Sequence, residues 1–493
     1  MPPSKTPDID GFNTDPQQRW SLIHTYSKAV DSHSAHLELR CWGLLAITSL
    51  GVAGLFALLL AFSRVPGAEE FIPWPLQFFE KGLVIHVILS FVVWFLSILG
   101  ALASLVAYRL SDGWLRWRAL GPVSLICAFI ATLLLFIPAW MDRGEASLNN
   151  YVPVIIDEIY YAGLIILALS ISLVVIRMFV NLFGRKGPMD PITISILAAG
   201  LMYLLSIVCF TIAYLKIFDN SSIIAMTPAL NEDIFWGGGH LLQFVNVSLL
   251  LAAWYFLGGL SIGRPWVHPN IMNSAIIFLA ASSLLGPMLY IKYETFSVAQ
   301  TIGFTNLQYF LAPPTTLLAI AGIYTILKFQ NKLDIRWNNT VVHCLLLSII
   351  VFFIGSLFGL FVDGTDTRTP AHYHGVIGGI NLAFMGLFFG LLLPILERGL
   401  GDTQTIYIFT ILIQRNFARL STWLYAVGQI LHSVGLFWAG GYGAPRKVAG
   451  ADQGIEALGA SLGLYLMGIG AVIAVIGGVM FIFLVSRALL KKV

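Results

Sequence analysis

Charge is scarce in this chain: only 11% of its 493 residues are Asp, Glu, Lys or Arg, while 58% are hydrophobic. That balance excludes a soluble globular domain, in which about a quarter of the residues are charged. Cysteine is scarcer still, and Cys41, Cys127, Cys209 and Cys344 all fall in or at the edge of apolar stretches. None forms a CxxC or CxxCH pair, which excludes a disulfide framework, a zinc site and covalently attached c-type haem. A net charge of +3 gives no basic field for nucleic acid. Long polar segments are also missing beyond residue 38, so no soluble domain is expected and any partner must be a separate subunit or a mobile carrier. The polar segment 1–38 lacks the apolar core of a cleavable signal peptide.

What the chain has in abundance is long apolar runs. Twelve segments can each span a bilayer: 39–62, 82–108, 119–139, 152–180, 191–217, 235–260, 269–291, 300–328, 338–362, 371–396, 416–440 and 459–486. The expected architecture is an all-α, twelve-helix integral membrane domain over 39–490, preceded by a cytoplasmic N-terminal segment, 1–38. Placing both termini in the cytoplasm puts most of the 28 Lys and Arg residues on that side, including Arg109, Arg116, Arg118, Arg185, Lys186, Lys491 and Lys492. The other side carries only Arg64, Lys81, Arg143, Lys216, Lys292, Arg368, Arg446 and Lys447. The asymmetry follows the positive-inside rule.

Ten histidines sort by depth. His24, His33, His36 and His268 lie in polar segments, and His343 sits at the cytoplasmic end of span nine; solvated or local roles suit them. His432, mid-span in span eleven, suits a bond to a neighbouring helix. His86, His240, His372 and His374 each lie close to the start of an even-numbered span: two, six and ten. Under the expected topology they share one depth near the external face. Dehydrating imidazole is costly, so histidines gathered within a membrane mark a site. In Ala371-His372-Tyr373-His374-Gly375, residues i and i+2 point to nearly opposite sides of a helix. One small ion could not readily take both rings, whereas two planar haems flanking the helix could. His86 and His374 can then close one six-coordinate haem, while His372 holds a second with an open face.

With those residues in view, the chain resembles the catalytic subunit of the haem-copper oxidase superfamily, which includes cytochrome c oxidases and nitric oxide reductases. The resemblance covers essentially the whole chain. Asp366-Thr367-Arg368-Thr369-Pro370-Ala371-His372-Tyr373-His374 is similar to the family's span-ten motif. It implies that His372 binds the high-spin haem and that His374, with His86, binds the low-spin haem. Gly443-Ala444-Pro445-Arg446-Lys447 resembles the loop whose two basic residues, here Arg446 and Lys447, pair with haem propionates. His240 in Trp236-Gly237-Gly238-Gly239-His240 takes the place of the first ligand to the non-haem metal, copper or iron. The cofactors implied are two non-covalent haems, b-type, with the non-haem metal open.

The chain departs from the family around that metal. Phe244 stands where oxygen reductases often carry tyrosine and nitric oxide reductases glutamate, with Gln243 beside it. Span seven reads Leu285-Gly286-Pro287-Met288-Leu289-Tyr290, without the family's adjacent histidines. One imidazole does not hold Cu²⁺ or Fe²⁺ tightly. Either Gln243, Tyr290, Lys292 and Glu294 supply a replacement set, or the metal is absent or much altered. Spans seven and eight carry Thr305, Asn306, Thr315 and Thr316 but offer no buried acid or lysine on the inner half. Asp157 and Glu158, at the external start of span four, are either a proton route from outside or solvated headgroup-level residues.

The expected activity is a di-haem respiratory oxidoreductase passing electrons from the low-spin to the high-spin haem to reduce NO, or O₂. The alternatives are a non-catalytic haem protein (electron conduit, gas sensor or assembly subunit) and a cofactor-free transporter, which leaves the clustered histidines unexplained. The expected partners are membrane lipid, a diatomic gas, and an electron-donating subunit, cytochrome c or quinol. The expected location is a bacterial cytoplasmic membrane.

Overall fold

A computed structural model describes residues 22–491 except 71–75, 112, 184, 186, 219–224, 330–334, 336, 363 and 399–407. Residues 1–21 of the polar segment, together with Lys186 and Lys492 of the charge count, lie outside the described residues. The described residues form twelve long helices. They are α1 (His33–Arg64), α2 (Phe78–Leu110), α3 (Leu120–Trp140), α4 (Glu158–Leu182), α5 (Pro191–Phe218), α6 (Pro228–Ile262), α7 (Pro269–Lys292), α8 (Val298–Phe329), α9 (Thr340–Phe361), α10 (Arg368–Ile395), α11 (Ile408–Gly441) and α12 (Leu458–Leu490). Among the described residues, all but α11 are long and apolar enough to cross a membrane. Each predicted span falls on one of these helices to within about two residues at its ends, except that the first part of span four, 152–157, precedes α4 and includes β-strand residues Val154–Ile156.

The helices run past their apolar runs because polar side chains cap them. Ser32 accepts from Ala35 N–H and starts α1 six residues before the apolar segment, so the N-terminal segment is partly helical; a short helix, Leu22–Ala29, precedes it. Thr227 caps α6 ahead of Pro228, and Gly263, with φ of 73°, ends it in the left-handed region where glycine carries no Cβ penalty.

Packing is set by small residues. Gly375 of α10 meets the backbone of Gly355 on α9, and Gly428 and Gly435 of α11 meet the backbone of α12 at Ala474 and Met467. A side chain at any of these positions would force the helices apart. The glycine run of α10 therefore serves close helix approach.

Burial ranks the spans. Of the eleven, α6, α2 and α10 have the most buried apolar windows, at 89, 72 and 78%, against 33% for α3, α7 and α8. These three central helices are the ones that carry His86, His240, His372 and His374. Two of them are locally underwound into π-helical turns, Ile88–Val93 just after His86 and Phe388–Leu392 in α10. Such turns are rare and gather at functional sites.

Two features have no counterpart in the expected architecture. A hairpin of β1 (Glu145–Ser147) and β2 (Val154–Ile156), antiparallel with Glu145 opposite Ile156, links α3 to α4 at the histidine end of the bundle. Towards the opposite end, Arg177 of α4 pairs with Glu38 of α1, its Nη1 3.0 Å from Oε2, while Tyr108 of α2 donates to Glu38 at 2.9 Å. Arg177 is fully buried. Buried charges persist only when paired and hydrogen-bonded, and here the pair ties three helices together.

Candidate haem-binding site

The histidine end is built by α1, α2, α9, α10 and α11. His86 lies within hydrogen-bond distance of the Ala53 carbonyl of α1 through Nδ1, at 3.0 Å. His372 does the same to the Gly355 carbonyl of α9, at 2.8 Å, and Gly359 leaves room for its ring. A carbonyl only accepts, so Nδ1 carries the proton in both rings and Nε2 keeps its lone pair. This is the bonding that orients imidazoles for iron: a backbone acceptor fixes tautomer and ring angle, and the opposite nitrogen ligates.

His374 turns the other way. Its ring packs edge-on against His432 of α11, centroids 4.6 Å apart, and His86, His432 and Arg64 lie within its electrostatic reach. Among the described residues it makes no hydrogen bond. The i,i+2 spacing thus sends His372 toward α9 and His374 toward α11, as helix geometry requires. His86 and His374, predicted as one pair, lie within electrostatic reach of each other. His432 is anchored by Nδ1 to the Met467 carbonyl of α12 at 3.1 Å, the neighbouring-helix role expected for it.

Cations crowd the same end. Arg64 donates from Nη2 to the Pro445 carbonyl at 2.7 Å, and its Nε is buried without a partner. Arg446 reaches Asn150 Oδ1 at 3.3 Å, and Lys447 donates to the Leu148 carbonyl. Burial first, and then the neighbouring Arg446, pull the Lys447 amine down to about 8, with Glu232 opposing the shift. The loop bearing Arg446 and Lys447 is held on the start of α10 by Thr367 N–H to the Ala444 carbonyl, 3.0 Å, and by a bridge between Asp366 and Pro445. Dehydrated cations with a donor left over are the chemistry of an anion site. The residues therefore fit haem, whose two propionates would meet Arg64, Arg446 and Lys447 while Nε2 atoms met iron.

The His240 region is differently furnished. His240 is 1% exposed; its Nδ1 donates to the Trp236 carbonyl at 2.8 Å, and Tyr151 donates to its Nε2 at 2.9 Å. Burial, reinforced by the Glu232 carboxylate, raises the Tyr151 phenol above its ordinary range and keeps it protonated. The ring is boxed by Tyr151, Trp236 and Phe304, with centroids 4.6, 4.8 and 5.8 Å away. At this level α7 presents Gly286 against Leu241, and Tyr290 against Gly237 and Phe304. Gln243 is half-buried on the next turn of α6, while Lys292 and Glu294 are exposed. Among the described residues no group of three or more His, Cys, Asp or Glu could hold a metal.

Asp157 and Glu158 stand apart from both regions. Asp157 caps α4 through Ile159 N–H at 2.9 Å and pairs with Arg143 at 2.9 Å; Glu158 is exposed. Three site residues escaped sequence reading: Arg64, Glu232 and Tyr151. Arg64 carried a usable signal, being a charge at the histidine end of an apolar span. Tyr151 and Glu232 carried none, since only the fold brings the hairpin loop onto α6.

Comparison with known proteins bears on the family and the fold. The family model described as "Cytochrome C and Quinol oxidase polypeptide I" matches residues 40–480. An uncharacterised protein of Rickettsia prowazekii (strain Madrid E) is 26% identical over 95% of this chain and 98% of its own. Cytochrome c oxidase subunit 1 of Thermus thermophilus is 21% identical, over 87% of this chain and 80% of its own. In fold, a heme-copper terminal oxidase dimer solved by cryo-EM superimposes with a TM-score of 0.73 at 16% identity, covering 94% of this chain and 85% of that one. An integral, multi-pass membrane protein with a haem-copper oxidase subunit I-like fold, the chain belongs to the cytochrome c and quinol oxidase polypeptide I family.

Proposed function

We propose that this chain is a membrane-bound di-haem oxidoreductase that reduces a diatomic gas, NO in preference to O₂. The observation that carries the reading is the carbonyl lock on Nδ1 of His86 and His372, which leaves the Nε2 lone pair of each ring unspent. His86 and His374 would hold a b-type haem from both faces, and His372 a second haem from one face. When bound, haem supplies one-electron transfer and, at an open axial position, ligation of a small gas. Arg64, Arg446 and Lys447 would neutralise the propionates and fix the ring planes. The preference for NO follows from electron count: forming N₂O from two NO molecules needs two electrons, whereas full reduction of O₂ needs four.

The electron donor is a partner subunit, cytochrome c or quinol, because the described residues include no domain outside the helical bundle that could carry a further redox group. Following the positive-inside rule, the histidine end faces outward and both termini face the cytoplasm of a bacterial cell. Asp157 and Glu158 stand at that outward end, where they can exchange protons with solvent, Asp157 while also serving as a helix cap.

The test is optical. Dithionite-reduced protein should show two haems per chain by pyridine haemochrome, one of which shifts on adding CO. Haem without any CO shift would favour the second reading, an electron conduit or sensor, which the capped His240 also accommodates. Absence of haem would remove both readings.

A further inference from the structure

In the structure, His240 is not furnished as a metal ligand. Its Nδ1–H is spent on the Trp236 carbonyl, and its one remaining lone pair accepts the Tyr151 hydroxyl. A metal would have to displace that hydrogen bond from inside an aromatic box and then find further donors. The surrounding residues are Trp236, Phe304 and Tyr290, and a site for Cu²⁺ or Fe²⁺ takes three or more N or O donors. The non-haem metal that the family implies does not fit these residues.

The chain is instead built to deliver Tyr151. Gly239, next to His240, has no Cβ where one would lie 2.5 Å from the Tyr151 Cβ and 2.7 Å from its Cγ, so any other residue would expel the ring. Gly237 and Gly238 make the same allowance for Tyr290 with Phe304 and for Phe210. Tyr151 itself has φ of 62°, the left-handed region that costs a bulky L-residue about 1 kcal/mol or more. Such strain persists only where the surroundings enforce it, and here they do. Asn150 is clamped to Glu232 of α6 through its backbone N–H (2.8 Å) and Nδ2 (2.7 Å), Arg446 reaches Asn150, and Lys447 donates to Leu148. Four contacts, three on Asn150 and one on Leu148, hold the loop so that the next side chain lands on Nε2.

We propose that Tyr151 takes the place of the non-haem metal, and that Tyr151 and His240 form a metal-free hydrogen-bonded couple delivered by the hairpin loop between α3 and α4. The couple keeps a proton on the phenol oxygen, shared with Nε2. It holds His240 as the neutral Nδ1–H tautomer. The place of the site rests on family membership and on His240, and not on any turnover.

The experiment counts metals and haem in the same purified samples of wild type, H240A and Y151F. Iron should equal haem in all three, with copper, zinc and non-haem iron at background. Copper, zinc or non-haem iron near one per chain in wild type, lost in H240A, would overturn the proposal. Haem content is measured separately, so loss of haem counts against the haem reading and leaves the metal result standing. For the couple itself, ¹⁵N-histidine solid-state NMR should show the His240 Nε2 signal moving to the unbonded position in Y151F, with Nδ1 unchanged. G239A, which keeps the hydroxyl but excludes the ring, should reproduce the shift. An Nε2 signal that moves in neither variant overturns the couple.

Discussion

Histidines on neighbouring central helices end in opposite chemical states. His86 and His372 spend Nδ1 on a backbone carbonyl and keep Nε2 free; His240 spends both nitrogens, one on Trp236 and one on Tyr151. Residue type is alike in the two regions. What separates them is the second neighbour: cations with a donor to spare on one side, and aromatic rings with a phenol on the other. A buried histidine is therefore read from what its second nitrogen touches, more than from its place in a motif.

Ligand removal should break the contrast most severely. H86A or H374A is expected to abolish the low-spin haem, halving pyridine-haemochrome content, whereas H240A leaves both haems in place. Loss of haem in H240A would erase the distinction.

The next largest effect lies at the other end of the bundle and is structural. E38Q or R177M leaves one charge buried and unpaired, which costs about 3–5 kcal/mol and should lower the thermal midpoint in detergent sharply. Replacing both residues with apolar ones should cost far less. Haem spectra of folded protein should be unchanged in each variant.

A pH test then probes the cation cluster. The folded Lys447 amine titrates at about 8, below its ordinary 10.5. Without a haem propionate beside it, and with Glu232 offsetting only part of the burial, its charge opposes folding below pH 8, and this penalty is relieved as pH rises from about 8 through 10.5. Haem-free protein should therefore gain stability across that window in a thermal scan. Haem-loaded protein, its propionates holding the amine charged, should gain none, and K447M should flatten the haem-free profile.

Smaller still is R64L, which removes a positive charge near His374. It should lower the low-spin haem potential on the order of tens of millivolts in a redox titration. Smallest is D157N, an exchange of one good helix cap for another that loses only the ion pair with the solvent-facing Arg143; it should change stability by about 1 kcal/mol.

Much of the bundle was legible in the sequence because membrane spans are long and uniform. Twelve apolar runs became twelve helices, and the helices bearing the clustered histidines proved the most buried. The i,i+2 pair predicted opposite-facing rings, and His372 and His374 do reach different helices. Helix starts were less legible, since polar caps such as Ser32 and Thr227 extend α1 and α6 beyond the apolar run. Contacts between distant segments were not legible at all. Tyr151 reaches His240 across 89 residues, and Arg177 reaches Glu38 across 139. No local period encodes either. The replacement ligand set imagined from Lys292 and Glu294 lay close in sequence to Tyr290, yet both side chains are exposed at the end of α7.

The most direct test of the contrast is the CO difference spectrum of dithionite-reduced wild type beside H372A and H240A. One CO-reactive haem in wild type, lost in H372A and retained in H240A, is the result expected. A CO shift that survives H372A, or that vanishes in H240A, would contradict the account.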